Sequence, residues 1–133
     1  MKYCLDTNTI IYFLKGTYPS IAAQLKTRRP DEILIPEIVR AELFFGATKS
    51  QHKARTLERI HAFLRPFQYL PFAGDAVEHY ADIRANLETR GQSIGPNDLL
   101  IAATARANGA TLVTHNTEEF QRVGGLNIED WTK

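Results

Sequence analysis

Residues 2–14 read Lys2-Tyr3-Cys4-Leu5-Asp6-Thr7-Asn8-Thr9-Ile10-Ile11-Tyr12-Phe13-Leu14. A short apolar run that stops at an acid and passes through polar residues into a second apolar run predicts a buried strand feeding a helix. In open α/β sheets chemistry collects outside the carboxyl ends of the strands, and Asp6 stands at such an end. Taken alone, Asp6 is better read in a turn role, its carboxylate helping to start the next helix.

Working outward, the first helix covers about Ile10 to Lys15 and Gly16 ends it. Pro19-Ser20 opens a second, with Ile21, Ala22 and Leu25 on its apolar face, and Arg28-Arg29-Pro30 closes it. Glu32-Ile33-Leu34-Ile35 is a second strand, and Pro36 begins a helix to about Thr48. Ser50 is placed to cap a basic amphipathic helix carrying Ala54, Leu57, Ile60 and Leu64. Gln68-Tyr69-Leu70 follows as a short strand. Asp75 with Glu78 resembles a capping box, opening a helix with Val77, Tyr80, Ala81 and Leu87 on one side and Gly91 past its end. Pro96-Asn97-Asp98 opens the most apolar helix, to about Asn108. Thr111–Thr114, a short helix from Glu118 to Val123 and the strand Leu126-Asn127-Ile128 complete the chain. Strands alternating with helices throughout predict a three-layer α/β/α domain with a central parallel sheet.

A chain of 133 residues, 44% of them hydrophobic, is long enough for one domain, residues 1–133, with a proper core. No apolar run reaches membrane-spanning length, and Asp6 interrupts the only stretch that resembles a signal peptide. The single cysteine, Cys4, falls in the buried strand and reads as core in a reducing cytoplasm. A net charge of +1 gives no global attraction to a polyanion, so nucleic-acid binding must rest on a local basic patch.

Three more acidic positions stand out. Glu42 is spaced with Ile38 and Phe45 on one helix face, where it snorkels at the edge of an apolar stripe, contacts a basic partner or faces a polar cavity. Asp98 opens a helix that is apolar almost all round, as a simple cap or as something more. The turn after the fourth strand holds Thr114-His115-Asn116-Thr117-Glu118-Glu119, where Asn116 suits a turn and the glutamates suit a helix start. Together with Asp6, these places can converge on one edge of a parallel sheet. Carboxylates gathered in a partly dry cleft raise one another's pKa values unless a cation joins them. An all-oxygen set suits Mg²⁺ or Mn²⁺ rather than Zn²⁺, and such a site suits phosphodiester hydrolysis.

Leu5-Asp6-Thr7-Asn8, Val39-Arg40-Ala41-Glu42-Leu43-Phe44-Phe45-Gly46, Asn97-Asp98-Leu99-Leu100-Ile101-Ala102-Ala103 and Leu112-Val113-Thr114-His115-Asn116-Thr117-Glu118-Glu119-Phe120 resemble, in order, the motifs of PIN-domain ribonucleases. Gly125-Leu126-Asn127-Ile128-Glu129-Asp130-Trp131 resembles the bacterial VapC toxins in particular. The resemblance spans essentially the whole chain. It implies an Mg²⁺- or Mn²⁺-dependent endoribonuclease toxin that cuts structured RNA, often tRNA, dimerises, and is held inactive by a small VapB-type antitoxin. Position by position, Asp6, Glu42 and Asp98 match the metal-binding acids. Asn116 stands where many relatives carry a fourth Asp, which removes one charged ligand from any second metal, and Glu119 matches a frequently acidic neighbour.

Asp6 and Asp98 are then the main ligands, and Glu42 is a ligand or water-orienting base. Thr7, Asn8, Thr114, Asn116 and Glu119 are placed to orient carboxylates and water. Cations must flank an acidic cleft that takes RNA; His52, Lys53, Arg55 and Arg59, and the pair Arg84 and Arg90, are the candidates, against an ordinary solvated face with pairs such as Arg55–Glu58. In Tyr12-Phe13 and Phe44-Phe45 both rings cannot enter one core, leaving one of each free for a partner groove. Two rival readings are a haloacid-dehalogenase-like phosphatase with Asp6 as nucleophile, which Asn8 disfavours by replacing a needed acid, and a non-catalytic RNA- or protein-binding module.

Overall fold

The computed structural model describes residues 1–133. Five strands, β1 (Tyr3–Leu5), β2 (Ile33–Pro36), β3 (Gln68–Leu70), β4 (Thr111–Val113) and β5 (Ile128–Glu129), form one sheet in the order β3-β2-β1-β4-β5. Every neighbouring pair is parallel, with Tyr3 opposite Ile33 on one side and Thr111 on the other. The helices are α1 (Thr7–Lys15), α2 (Pro19–Lys26), α3 (Glu37–Lys49), α4 (Lys53–Leu64), α5 (Asp75–Thr89), α6 (Pro96–Ala107) and the single turn α7 (Thr117–Phe120). All residues of β1, β2 and β4 are buried, so side chains pointing to either face of the sheet are covered. The predicted layering and all five strands are present. No helix is long and apolar enough to cross a membrane.

Strand order fixes the place where a site can form. The chain steps outward from β1 to β3 on one side, then returns to lay β4 and β5 on the other. The crevice therefore opens between the carboxyl ends of β1 and β4, where neighbouring connections diverge. Asp6 N–H donates to Val113 O at 3.1 Å, stitching those two ends together.

The core is one cluster of 28 buried residues drawn from the central strands and the helices that cover them, with Cys4, Ile35 and Leu112 fully enclosed. Burial pushes the Cys4 thiol up to about 12, which makes it inert packing. Beyond β5, Trp131 packs on Tyr3 with centroids 5.4 Å apart. Arg28 lies over both rings, 4.3 and 5.1 Å from their centroids, so the guanidinium seals that end of the core by cation–π contact.

Several local expectations give way to packing. Ser50 does not cap α4: it is the C-cap of α3, its hydroxyl accepts from His52 N–H at 3.0 Å, and His52 takes the N-cap position. Asp75 is the first residue of α5 rather than its cap, because Gly74, at φ 58, turns the chain there. Gly95 similarly precedes α6, which puts Asp98 inside the first turn. Ala54 is exposed on α4, whose buried positions are Ile60 and Leu64. The face of α5 is Ala76, Ile83 and Leu87, whereas Val77 is 52% exposed. Spacing of i, i+7 and i+11 follows one stripe, and Val77 lies 100° off it. Gly109, at φ 62, reverses the chain between α6 and the amino end of β4.

The buried face of α5 has a direct test. Ile83→Ala should cost about 2–5 kcal/mol in urea unfolding, and Val77→Ala should stay within about 0.5 kcal/mol of wild type.

Candidate active site

Asp6 is both a helix cap and the most enclosed acid of the chain. One carboxylate oxygen accepts from Thr9 N–H at 2.9 Å, and the Thr114 hydroxyl bonds the same side chain. Thr9 Oγ1 in turn donates to Val113 O at 3.2 Å, so the cap of α1 and the end of β4 are one unit. Burial raises the Asp6 pKa above the usual 3.8 and outweighs the hydrogen bonds from Thr114 and Thr9; the nearby Glu42 charge adds to the rise. The turn role and the functional role of Asp6 are compatible.

Glu42 sits beside the core stripe of α3, not on it. Val39, Leu43 and Ala47 form the buried line, Phe45 is 63% exposed, and Glu42 is half-buried between. The Thr7 hydroxyl donates to one oxygen of Glu42 and Asn97 Nδ2 to the other, the latter at 3.2 Å. Three elements thus meet on one carboxylate.

Asp98, in the first turn of α6, is half-buried and hydrogen-bonded to Glu119. Its pKa rises to about 7, first through burial, then through Glu119 and the charges of Glu42 and Asp6. Glu119 is held below its ordinary value: burial pushes it up, but Gly95 N–H at 3.0 Å, Asp98 and Asn116 Nδ2 at 2.6 Å stabilise its charge. The proton of the pair therefore belongs to Asp98. Asn116 N–H donates to Thr114 Oγ1 at 3.0 Å, linking this acid pair back to Asp6.

The structure thus brings Asp6, Glu42, Asp98, Asn116 and Glu119 into one electrostatic neighbourhood, with Thr7 and Thr114 donating into it. Asn8 is exposed and makes no side-chain hydrogen bond, so Thr9 does the orienting expected of it. Reading the chain missed Thr9, Asn97 and Gly95. For Asn97 the only signal was its place beside Asp98, since an amide at a helix start ordinarily serves the helix itself. The acids of this neighbourhood offer oxygen ligands, and burial, with the neighbouring charges adding to it, raises Asp98 and Asp6; both facts fit a hard divalent cation. In this arrangement no three acidic side chains stand close enough to grip an ion together, and Glu42 and Asp98 are each engaged with protein partners.

The basic candidates are dispersed. His52, Lys53 and Arg55 are exposed on α4, and Arg55 does not pair with Glu58. Arg59 donates to Leu14 O and, with Lys15, lines a groove of about 340 Å³ that ends at Glu42. Arg84 is paired with Glu88 at 2.9 Å and bonded to Tyr80, while Arg90 donates to Arg122 O. Of the aromatic pairs, Phe13 joins Leu25, Phe63 and Phe67 in an apolar groove, and Phe45 faces solvent beneath Lys49.

A parallel sheet of this order, with acids from β1, α3 and α6 at its carboxyl edge, is the arrangement of a PIN domain, and the family model of that name matches residues 3–126. The tRNA(fMet)-specific endonuclease VapC of Shigella flexneri is 38% identical over 99% of both chains. Ribonuclease VapC2 of Rickettsia felis is 38% identical over 100% of both. Among solved structures, VapBC2 from Rickettsia felis bound to a DNA fragment from their promoter superposes with a TM-score of 0.91 at 36% identity, covering 98% of this chain and 99% of that one. VapBC-1 from nontypeable Haemophilus influenzae gives 0.92 at 37% identity over 100% of both chains. The chain belongs to the PIN-domain family and, within it, to the VapC ribonucleases.

The raised acids make stability depend on pH. An aspartate whose folded pKa exceeds its unfolded value of about 3.8 contributes fully below 3.8 and loses that contribution as pH rises through the folded value, about 7 for Asp98. Glu119, lowered from 4.5, loses its contribution only as pH falls below that range. Between pH 5 and pH 8 Asp98 therefore dominates the pair. Thermal melts in chelating buffer should show the wild-type midpoint dropping from pH 5 to pH 8, with Asp98→Asn flattening much of that slope and melting above wild type at pH 8.

Proposed function

We propose that this chain is a divalent-metal-dependent endoribonuclease toxin of a type II toxin–antitoxin pair, hydrolysing phosphodiester bonds in structured RNA, with tRNA as the favoured class. The observation that carries the reading is that Asp6, Glu42 and Asp98 share one electrostatic neighbourhood at the β1–β4 crevice, Asp6 and Glu42 held by their own hydrogen-bond donors and Asp98 by its bond to Glu119. Relatives of nearly equal length named as ribonucleases, one of them a tRNA(fMet)-specific endonuclease, support the substrate class. VapBC complexes among the similar structures support a small VapB-type antitoxin as partner. The phosphatase alternative loses support on the same grounds, since Asn8 takes no part in the site.

Asp6, Asp98 and Glu42 would hold Mg²⁺ or Mn²⁺, directly or through water. When bound, the ion activates water for attack on phosphorus and offsets the charge building on the phosphate oxygens. The chain's own contribution is orientation. Thr9 and Thr114 fix Asp6; Thr7 and Asn97 hold the two oxygens of Glu42, so that it presents a fixed carboxylate to an incoming water. Asp98 carries a proton shared with Glu119 that a cation would displace, and Asn116 keeps Glu119 charged beside it. With an amide at position 116 the site has one acid fewer, which favours a single resident ion, any second one arriving with RNA.

Residues 1–133 act in this reading as a single cytoplasmic PIN domain that dimerises. The antitoxin fits the apolar groove of Phe13, Leu25, Phe63 and Phe67, which an amphipathic segment would cover. Basic side chains at Lys53, Arg84 and Arg90 would steer RNA, with Arg84 released from Glu88 in the complex.

The deciding experiment is cleavage of total tRNA by purified protein freed of its antitoxin. Wild type should cut with Mg²⁺ or Mn²⁺ and stop on chelation. Asp6→Asn and Asp98→Asn should each lose at least about a hundredfold in rate while melting at or above wild type. A fully active Asp6→Asn protein would remove the assignment.

A further inference from the structure

Three rings gather around the turn that follows β4 and take no part in the chemistry above. Tyr12 comes from α1, Tyr18 from the turn before α2 and His115 from the turn after β4. Their centroids are 5.0 Å apart for Tyr12–Tyr18, 5.8 Å for Tyr18–His115 and 6.1 Å for Tyr12–His115. Unlike Tyr3 and Trp131, none of the three is buried, and the His115 side chain is 43% exposed.

His115 is nevertheless fixed. Its Nδ1 lies 3.0 Å from Asp130 Oδ2 and 3.1 Å from Thr132 Oγ1. Thr132 donates its hydroxyl, at 2.7 Å, and its N–H, at 2.9 Å, to the other Asp130 oxygen. That network places a proton on Nδ1, facing Asp130, and leaves the Nε2 edge without a protein partner. A ring held on one edge loses little side-chain entropy when a ligand stacks on it.

The neighbours of His115 tie this cluster to the acids. Thr114, one residue before, bonds Asp6; Asn116, one residue after, bonds Glu119. Adjacent Cα atoms are about 3.8 Å apart, so a strand whose phosphate meets those acids passes beside the turn that carries His115. The carboxylates of Asp130 and Glu129 on the same segment repel a phosphate there, so the rings suit the base and not the backbone. We propose that Tyr12, Tyr18 and His115 form a stacking platform for one unpaired nucleobase of the RNA, next to the phosphate that faces Asp6 and Asp98. The proposal rests on the ribonuclease reading and deepens it: the substrate must present an unstacked base, as a loop or bulge does.

The test uses short single-stranded oligoribonucleotides with 2-aminopurine walked through each position, mixed with the full chain in chelating buffer so that nothing is cut. Wild type should quench the fluorescence at one position. His115→Ala should abolish that quenching and weaken binding about tenfold, whereas His115→Phe should retain both. Tyr12→Leu, which keeps bulk without a π face, should lose part of the effect at the same position. An oligonucleotide made abasic there should bind wild type and His115→Ala alike. Quenching unchanged in His115→Ala, or an equal loss of binding for the abasic strand, would overturn the platform. Wild-type cleavage of tRNA without quenching at any position would overturn it alone; quenching without any cleavage would uphold it and sink the ribonuclease reading instead.

Discussion

Like charges crowded at a partly dry sheet edge repel, and the arrangement of this protein follows from how that repulsion is borne. Three carboxylates come from elements far apart in the chain, and each is supplied with donors before it meets the others. Asp6 has Thr9 and Thr114, Glu42 has Thr7 and Asn97, and Glu119 has Gly95 and Asn116. Asp98 has no such donor set and takes up a proton instead. The burden falls on one residue, and that residue sits in the first turn of α6, where the helix dipole favours negative charge.

Much of this was readable from residue order. The five strands were marked by apolar runs ending at turn residues, and strands alternating with helices imply a parallel sheet. Asp6, Glu42 and Asp98 were visible because acids at strand exits or within apolar stripes are out of place. Helix starts were less legible. Ser50 and Asp75 have capping chemistry, yet the backbone places His52 and Gly74 at those positions, and propensity gives way to where the chain must turn. Val77 was misplaced because an apolar residue near a helix start looks the same whether it faces core or solvent.

The finer details of the site lay outside what spacing can reveal. Asn97 reaches Glu42 across 55 positions of sequence, a contact made by the packing of α6 near α3 and by no local pattern. Asn8 and Thr9 are neighbours of similar polarity, and the helical turn alone decides that Thr9 N–H meets Asp6 while Asn8 points outward. The sharing of a proton between Asp98 and Glu119 depends on distance, burial and the company of Glu42, all of which are properties of the folded chain.

Gathering Asp6, Glu42, Asp98 and Glu119 near the carboxyl ends of the strands leaves the opposite rim of the sheet outside the site. There the Gly109 reversal leads into β4, and the turn around Arg29 leads toward β2. A fluorophore, epitope or affinity handle grafted at either bend would ride on the same rigid strands while standing a sheet's length from the catalytic end. The chain could thus be tracked or immobilised with the β1–β4 crevice left bare.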